Sequence, residues 1–255
     1  AAMRYLNETL VVFQRQLRLS LANPTWMAIS ILQPILYLTL FGPLLEQVAA
    51  TPGFPPGDAW AVFVPGLLVQ LGIFGASFVG FGIIAEWRSG VIDRMLVTPA
   101  SRWSLIGGRV LHDTLMVMVQ GAILVAAATL MGLRAPLEVI ILGLMLVGLL
   151  GAAFSAISYG AALSLKSENA FAPLINMFAL PILLLSGILL PMTLAPGWLQ
   201  IASDFNPIKH VVDGLRAVYR GEILAPETLL GFAIALIFVL IGAWFGARVF
   251  KAQTK

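Results

Sequence analysis

The chain has 255 residues, of which 60% are apolar types and only 11% are charged, with a formal net charge of +3. A soluble domain is about 25% charged, so a water-facing fold of this size lacks the polar side chains to cover itself, and the composition places the protein in a membrane. Cysteine is absent, which excludes disulfides, thiol nucleophiles and cysteine-based metal sites.

The chain opens Ala1-Ala2-Met3, and Met3 reads as the natural start. Residues Tyr5 to Leu21 predict an amphipathic helix. Leu6, Leu10, Phe13, Leu17 and Leu21 fall in one angular band, with Arg4, Glu8 and Arg15 opposite. Such a helix, bounded at 4–22, is expected to lie in the membrane interface. No cleavable signal is expected, because Arg15 and Arg18 interrupt the first apolar stretch.

Six apolar segments follow, at 26–45, 61–85, 105–130, 137–163, 171–190 and 229–250. Each matches the length of about 20 residues that a spanning helix needs. Their continuous apolar character argues against a β-barrel, whose strands alternate. Pro34 and Pro181 fall inside spans, where neighbouring groups can satisfy the freed carbonyls. The fourth span carries Gly148, Ala152, Ala156, Gly160 and Ser164 at four-residue intervals, a spacing that lets another helix approach closely. The expected fold is all-α, a polytopic membrane protein with one domain over 1–255.

Two connections are long. The one at 86–104 is polar. The one at 191–228 is rich in apolar residues, and the spacing of Ile208, Val211, Val212 and Leu215 predicts one or two short helices. We read it as an external re-entrant hairpin between spans five and six. Lys and Arg set the orientation. Arg4, Arg15, Arg18, Arg88, Arg94, Arg102, Arg109, Lys166, Arg248, Lys251 and Lys255 fall on one side, against Arg134, Lys209, Arg216 and Arg220 on the other. The rule puts both termini in the cytoplasm, as an even number of spans requires.

Several chemistries have no signature. No Gly precedes a Lys, so a phosphate-cradling Walker loop is absent. His112 and His210 fall on opposite sides of the membrane in this topology, and no histidine–carboxylate cluster suggests a metal. No G-x-S-x-G elbow occurs. Asp113 is the notable ionisable residue within a span. Arg109 precedes it by four residues on the same face, which predicts a structural ion pair near the cytoplasmic end.

Two stretches carry a resemblance. The first runs Glu86, Arg88, Gly90, Asp93, Leu96, Thr98-Pro99 and Arg102; the second includes Ser186-Gly187, Pro191, Pro196, Trp198-Leu199, Asn206-Pro207, Asp213, Arg216 and Gly221. Together they resemble the type-2 ABC exporter permeases, most of all the bacterial daunorubicin-resistance membrane proteins. Trp87, Val91 and Asp93 depart from the usual pattern, Asp93 standing where Glu is more frequent.

The resemblance implies that 86–104 forms a coupling helix that contacts a separate nucleotide-binding ABC ATPase subunit. Glu86, Arg88, Gly90, Asp93, Arg94, Leu96, Thr98, Pro99 and Arg102 would form or flank that contact. Val91, Met95, Leu96 and Val97 give the loop an apolar ridge that could dock in a groove. ATP and Mg would sit on the partner, with no cofactor on this chain. Two permeases and two ATPases are implied, so the nearest partner is a second copy, in the bacterial cytoplasmic membrane, and no nucleic acid.

The implied activity is export of a hydrophobic or amphipathic, drug-like compound. Gln70, Phe74, Phe78 and Phe81 form a stripe on the second span that could line its route, with Asn176 and Met177 on the fifth. Aromatic and Met side chains suit flat amphipathic molecules, and an amide can orient them. Export of a lipid, glycan or lipid-linked intermediate is the close alternative. A non-transporting scaffold would have no reason to carry the coupling loop, and an intramembrane enzyme would need catalytic groups that these spans do not offer.

Overall fold

A computed structural model describes residues 2–50, 52, 54, 58–97, 101–189 and 191–252. Those residues form helices and connections, with no strand among them. In chain order the helices are α1 (Ala2–Ala22), α2 (Pro24–Val48), α3 (Ala59–Ser77), α4 (Gly80–Arg88), α5 (Val91–Leu96) and α6 (Arg102–Met131). There follow α7 (Leu137–Leu165), α8 (Glu168–Leu185), a 3₁₀ turn (Met192–Leu194), α9 (Gly197–Asp204), α10 (Pro207–Tyr219) and α11 (Pro226–Ala252).

Among the described residues, five stretches are long and apolar enough to cross a membrane: Ala59–Arg88, Trp103–Met131, Leu137–Leu165, Glu168–Leu185 and Pro226–Ala252. The expected first span lies on α2, a helix of 25 residues, Pro24–Val48, of which the described residues include the apolar stretch Ile31–Leu44.

The amphipathic N-terminal segment folds as expected and is fastened to α6 along its length. The Ser101 N–H donates to Glu8 Oε2 at 2.8 Å, and Ser104 Oγ donates to the Tyr5 carbonyl at 3.3 Å. Val12 is buried with Ile83, Ile84 and Leu105, whereas Leu6, Leu10 and Leu21 remain exposed. Glu8, placed on the polar face by its spacing, in fact satisfies a free N–H at the start of α6.

Helix α7 packs against α3, α6 and α11 at the centre of the bundle. Its small residues allow the close approach their spacing predicts. A Cβ on Gly242 of α11 would lie 2.6 Å from the Ala153 carbonyl oxygen, so the helices meet there backbone to backbone.

The connection between α8 and α11 divides its labour. On α9, Trp198 and Ile201 are exposed, as is Phe205 just beyond its end. On α10, Ile208, Val211, Val212, Leu215 and Val218 are all buried, packed with residues of α3, α7 and α11. Asn206 caps α10, its Oδ1 accepting from the Ile208 N–H at 3.1 Å, and its Nδ2 donates to the Ile182 carbonyl at 3.2 Å. A Cβ on Gly214 of α10 would sit 2.6 Å from the Glu227 carbonyl oxygen of α11. Arg216 completes the anchorage: Nε donates to the Val62 carbonyl at 3.0 Å and Nη2 to the Gly187 carbonyl at 2.7 Å. Burial pulls its guanidinium down to about 10, which leaves it charged at neutral pH.

Candidate functional site

The α4 end of the second span turns sharply before α5. Gly90 has φ +70°, a left-handed conformation that glycine adopts without strain, and it joins α4 to α5. A short helix, α5, therefore occupies the segment expected to couple. Asp93, Arg94 and Leu96 lie on it, and Arg102 opens α6. Arg94 is exposed. Thr98 and Pro99 lie outside the described residues. The apolar ridge is divided: Val97 is 87% exposed, but Met95 turns inward, its Sδ accepting from Arg109 Nη2 at 3.7 Å. Ile92 anchors α5 in the cluster that contains Val12, Ile83 and Phe250.

Behind α5 stands an ion network. Glu86 pairs through Oε2 with Arg109 Nη2 of α6, and Oε1 lies 3.8 Å from Arg15 Nη1 of α1. Arg88 pairs with Glu168 at the start of α8, at 3.2 Å on the exposed surface. Glu86→Ala is expected to lower stability by about 2–3 kcal/mol, because it leaves the buried Arg109 without its carboxylate partner. Thermal unfolding in lipid nanodiscs measures this; an unchanged midpoint would show the network to be dispensable.

The expected Arg109–Asp113 ion pair does not form. Arg109 reaches across to Glu86, and Asp113 is turned toward α7. Tyr159 donates its hydroxyl to Asp113 Oδ2 at 2.5 Å, and His112 Nδ1 lies 3.0 Å from Asp113 Oδ1. Ser20 Oγ of α1 lies 2.8 Å from His112 Nε2. The i,i+4 spacing makes a pair possible, but each residue finds a partner on another helix.

The second span is broken where α3 ends and α4 begins. The Phe81 and Gly82 N–H groups donate three residues back, to the Phe78 and Val79 carbonyls. Ser158 of α7 bridges the break: its Oγ donates to the Ser77 carbonyl at 2.6 Å and accepts from the Gly80 N–H at 2.9 Å. Gly80 is pressed against α7 and α8. A Cβ there would meet Phe171 Cζ at 2.5 Å, Ser158 Oγ at 2.8 Å and Ala162 Cβ at 2.9 Å.

The aromatic stripe lies along this broken span. Gln70, Phe74, Phe78 and Phe81 all line one cavity of about 480 Å³, closed on the other side by Ile29 and Gln33 of α2. Phe78 and Phe81 stack at 12° with centroids 6.2 Å apart. Asn176 and Met177 do not join them. Both are exposed on α8, outside this lining. Ser158, Tyr159, His112 and Ser20 were not singled out by sequence reasoning as site residues. Apart from the adjacent His112–Asp113 contact, their partners lie 46 to 92 positions away, where no local period can reveal them.

The geometry defines a class: a multi-pass helical membrane protein with a short helix joined to a broken span that walls a cavity. Residues 7–219 match the family described as ABC-2 type transporter. The chain belongs to that family, whose members are membrane permeases that work with a nucleotide-binding ATPase subunit. It is 27% identical over 247 residues to the transport permease ycf38 of Porphyra purpurea, a match covering 91% of this chain and 84% of that one. It is 28% identical over 194 residues to the daunorubicin resistance ABC transporter permease protein DrrB1 of Streptomyces coeruleorubidus, covering 75% and 67%. It is also 28% identical over 170 residues to the multidrug ABC transporter permease YbhR of Escherichia coli K12, covering 63% and 44%.

Proposed function

We propose that this permease exports a hydrophobic or amphipathic compound, powered by a separate subunit that binds ATP and Mg and docks on α5. The observation that carries the reading is the continuity of α5, α4 and α3. A push on α5 reaches the Gln70–Phe81 cavity through one broken helix, braced at the break by Ser158. The cytoplasmic orientation follows from the basic residues at the α4–α6 end, and α2 supplies a sixth span. Both termini then lie in the cytoplasm, and the bacterial inner membrane is the proposed site. The names of two relatives, one a daunorubicin resistance permease and one a multidrug permease, support an efflux role.

A second copy completes the pathway. The face of α8 bearing Met177, Phe178, Leu180 and Leu184 is exposed, and it is where a homodimer would bring Asn176 and Met177 toward the route. Two-fold pairing would use the same patch on both subunits.

The test is ATPase activity in lipid nanodiscs, after co-purification with the candidate nucleotide-binding subunit, with a panel of amphipathic drugs and lipids. A complex whose ATPase rate changes with one compound class supports export and names the class; stimulation by a lipid or glycan-lipid alone would move the substrate to that class. Arg94→Glu combined with Leu96→Asp is expected to weaken association by about tenfold or more, since it reverses one charge and adds another at the docking surface. Intact association and transport in that variant would reject the coupling role of α5.

A further inference from the structure

A cavity of about 390 Å³ opens among α6, α7 and α11. It arises from how α7 meets α11. The two helices touch backbone to backbone: a Cβ on Gly246 would lie 3.0 Å from the Ala156 carbonyl oxygen, one turn on from the Gly242–Ala153 contact. The residues next to those glycines, Ala243 and Ala247, line the cavity with Gly107, Ala152 and Ala156, and none has the side chain to fill it. An apolar void forfeits dispersion contacts on one side, and in a bilayer the apolar matter at hand is an acyl chain.

The cavity has a direction. At one end stand the exposed Trp103, near the start of α6, and Lys251, near the end of α11; Val239 lies at the other. From Lys251 to Val239 is about 18 Å along α11, against about 15 Å for half a hydrocarbon core. Tryptophan and basic residues mark the membrane–water boundary. The same end of α11 carries a second such pair, Arg248 lying 5.1 Å from the ring centroid of the exposed Trp244. The cavity thus runs from headgroup level toward the midplane, in the leaflet on the α5 side. Among the described residues that line it, Lys251 alone is charged and none is acidic. An anionic head meets a cation there, whereas the ammonium of a zwitterionic head meets no counter-charge.

We infer that the groove among α6, α7 and α11 holds one anionic phospholipid, with an acyl chain along Ala152, Ala156, Ala243 and Ala247 and the phosphate on Lys251. The inner wall gives this lipid a role. Phe250 lines the cavity and is buried in one cluster with Val12, Leu105 and Ile92 of α5. A chain in the groove therefore backs the residues that anchor α5 and braces that end of the bundle. The lipid is a resident of the permease and not its cargo, so the inference goes beyond the export reading. It is tested on the full chain alone, and its failure would leave the docking of α5 on an ATPase untouched.

The experiment is native mass spectrometry of the full chain in detergent, with dioleoyl phosphatidylglycerol and dioleoyl phosphatidylcholine supplied in equal amounts. Their chains are identical, so the comparison reads the head. The first lipid retained is expected to be phosphatidylglycerol by about fivefold, the effect of one lysine at an anionic surface. Lys251→Gln is expected to bring the ratio within about twofold. Ala247→Leu, which fills the groove, is expected to cut retention of both lipids by about tenfold or more, with a thermal midpoint in lipid-free detergent no lower than the parent's. Dioctanoyl phosphatidylglycerol has the same head on chains too short for the groove and is expected to bind at least about tenfold more weakly. Equal retention of the two dioleoyl lipids by the unaltered chain would overturn the proposal, and that comparison depends on no variant folding. So would a Lys251→Gln chain, parental in thermal midpoint, that keeps the ratio, or undiminished binding of the dioctanoyl lipid. Displacement of the lipid by glycerol phosphate would assign the site to a free phosphate, and a lipid-free dimer that Ala247→Leu splits would assign the groove to a second copy; either result rejects a resident lipid.

Discussion

Arg216→Met is expected to lower the stability of the folded chain by about 3–5 kcal/mol, the largest loss among the single exchanges considered. The residue is 4% exposed, and its side chain donates to two carbonyls, those of Val62 in α3 and Gly187 beyond α8. Hydrogen bonds from a charged group contribute about 1.5–3 kcal/mol each, and a buried carbonyl left unmet carries its desolvation penalty. Methionine fills similar volume without donating, so the loss reads the hydrogen bonds rather than a cavity. Lysine keeps the charge but has one nitrogen where the fork has three, so it can serve one carbonyl at most. Arg216→Lys should therefore recover less than half of the loss. Thermal unfolding in nanodiscs reads both variants. A midpoint for Arg216→Met close to that of the parent chain would show that α10 is held by its apolar face alone.

The second large effect is on coupling. Gly80→Ala is expected to reduce transport by about tenfold or more while ATP hydrolysis by the partner subunit continues. The new methyl would lie within 2.5–2.9 Å of Phe171, Ser158 and Ala162, so α4 must move off α7. A shift at such a junction changes coupling between distant sites by about 0.5–2 kcal/mol, which reaches a factor of ten. Ser158→Ala attacks the same junction from the other side: it removes the donor to the Ser77 carbonyl and the acceptor of the Gly80 N–H. Ser158→Thr retains the hydroxyl and should transport better than Ser158→Ala. Parallel assays of ATPase rate and substrate efflux in proteoliposomes decide the matter. Parental efflux in both Gly80→Ala and Ser158→Ala would mean that the break transmits nothing.

What could be read in advance was local. Continuous apolar runs marked the long helices, and the 3.6-residue spacing marked α1 and α10. The stripe of Gln70, Phe74, Phe78 and Phe81 was legible because residues three and four apart share a helix face. What could not be read was which face meets which neighbour. Arg109 and Asp113 satisfy the spacing rule for a pair, yet Glu86 and Tyr159, brought in by other helices, take them. Asn176 and Met177 satisfy the chemistry for a lining, yet α2 closes the cavity with Ile29 and Gln33 while α8 turns that face outward. The Ser158 bridge and the Arg216 anchor join residues 78 to 154 positions apart, save for the Gly187 arm at 29. Neither depends on a sequence period.

The glycines at the α7–α11 and α10–α11 crossings constrain how this sequence can drift. At Gly242 and Gly214 the atom that a new methyl would strike is a main-chain oxygen, of Ala153 and Glu227 respectively. Every amino acid carries that oxygen, so no replacement on the facing helix can make room. A crowded side chain can be relieved by a smaller one across the interface; these two contacts offer no such exchange. Any lineage that changes either glycine must separate the helices themselves, and a reversion to glycine is the only single step back.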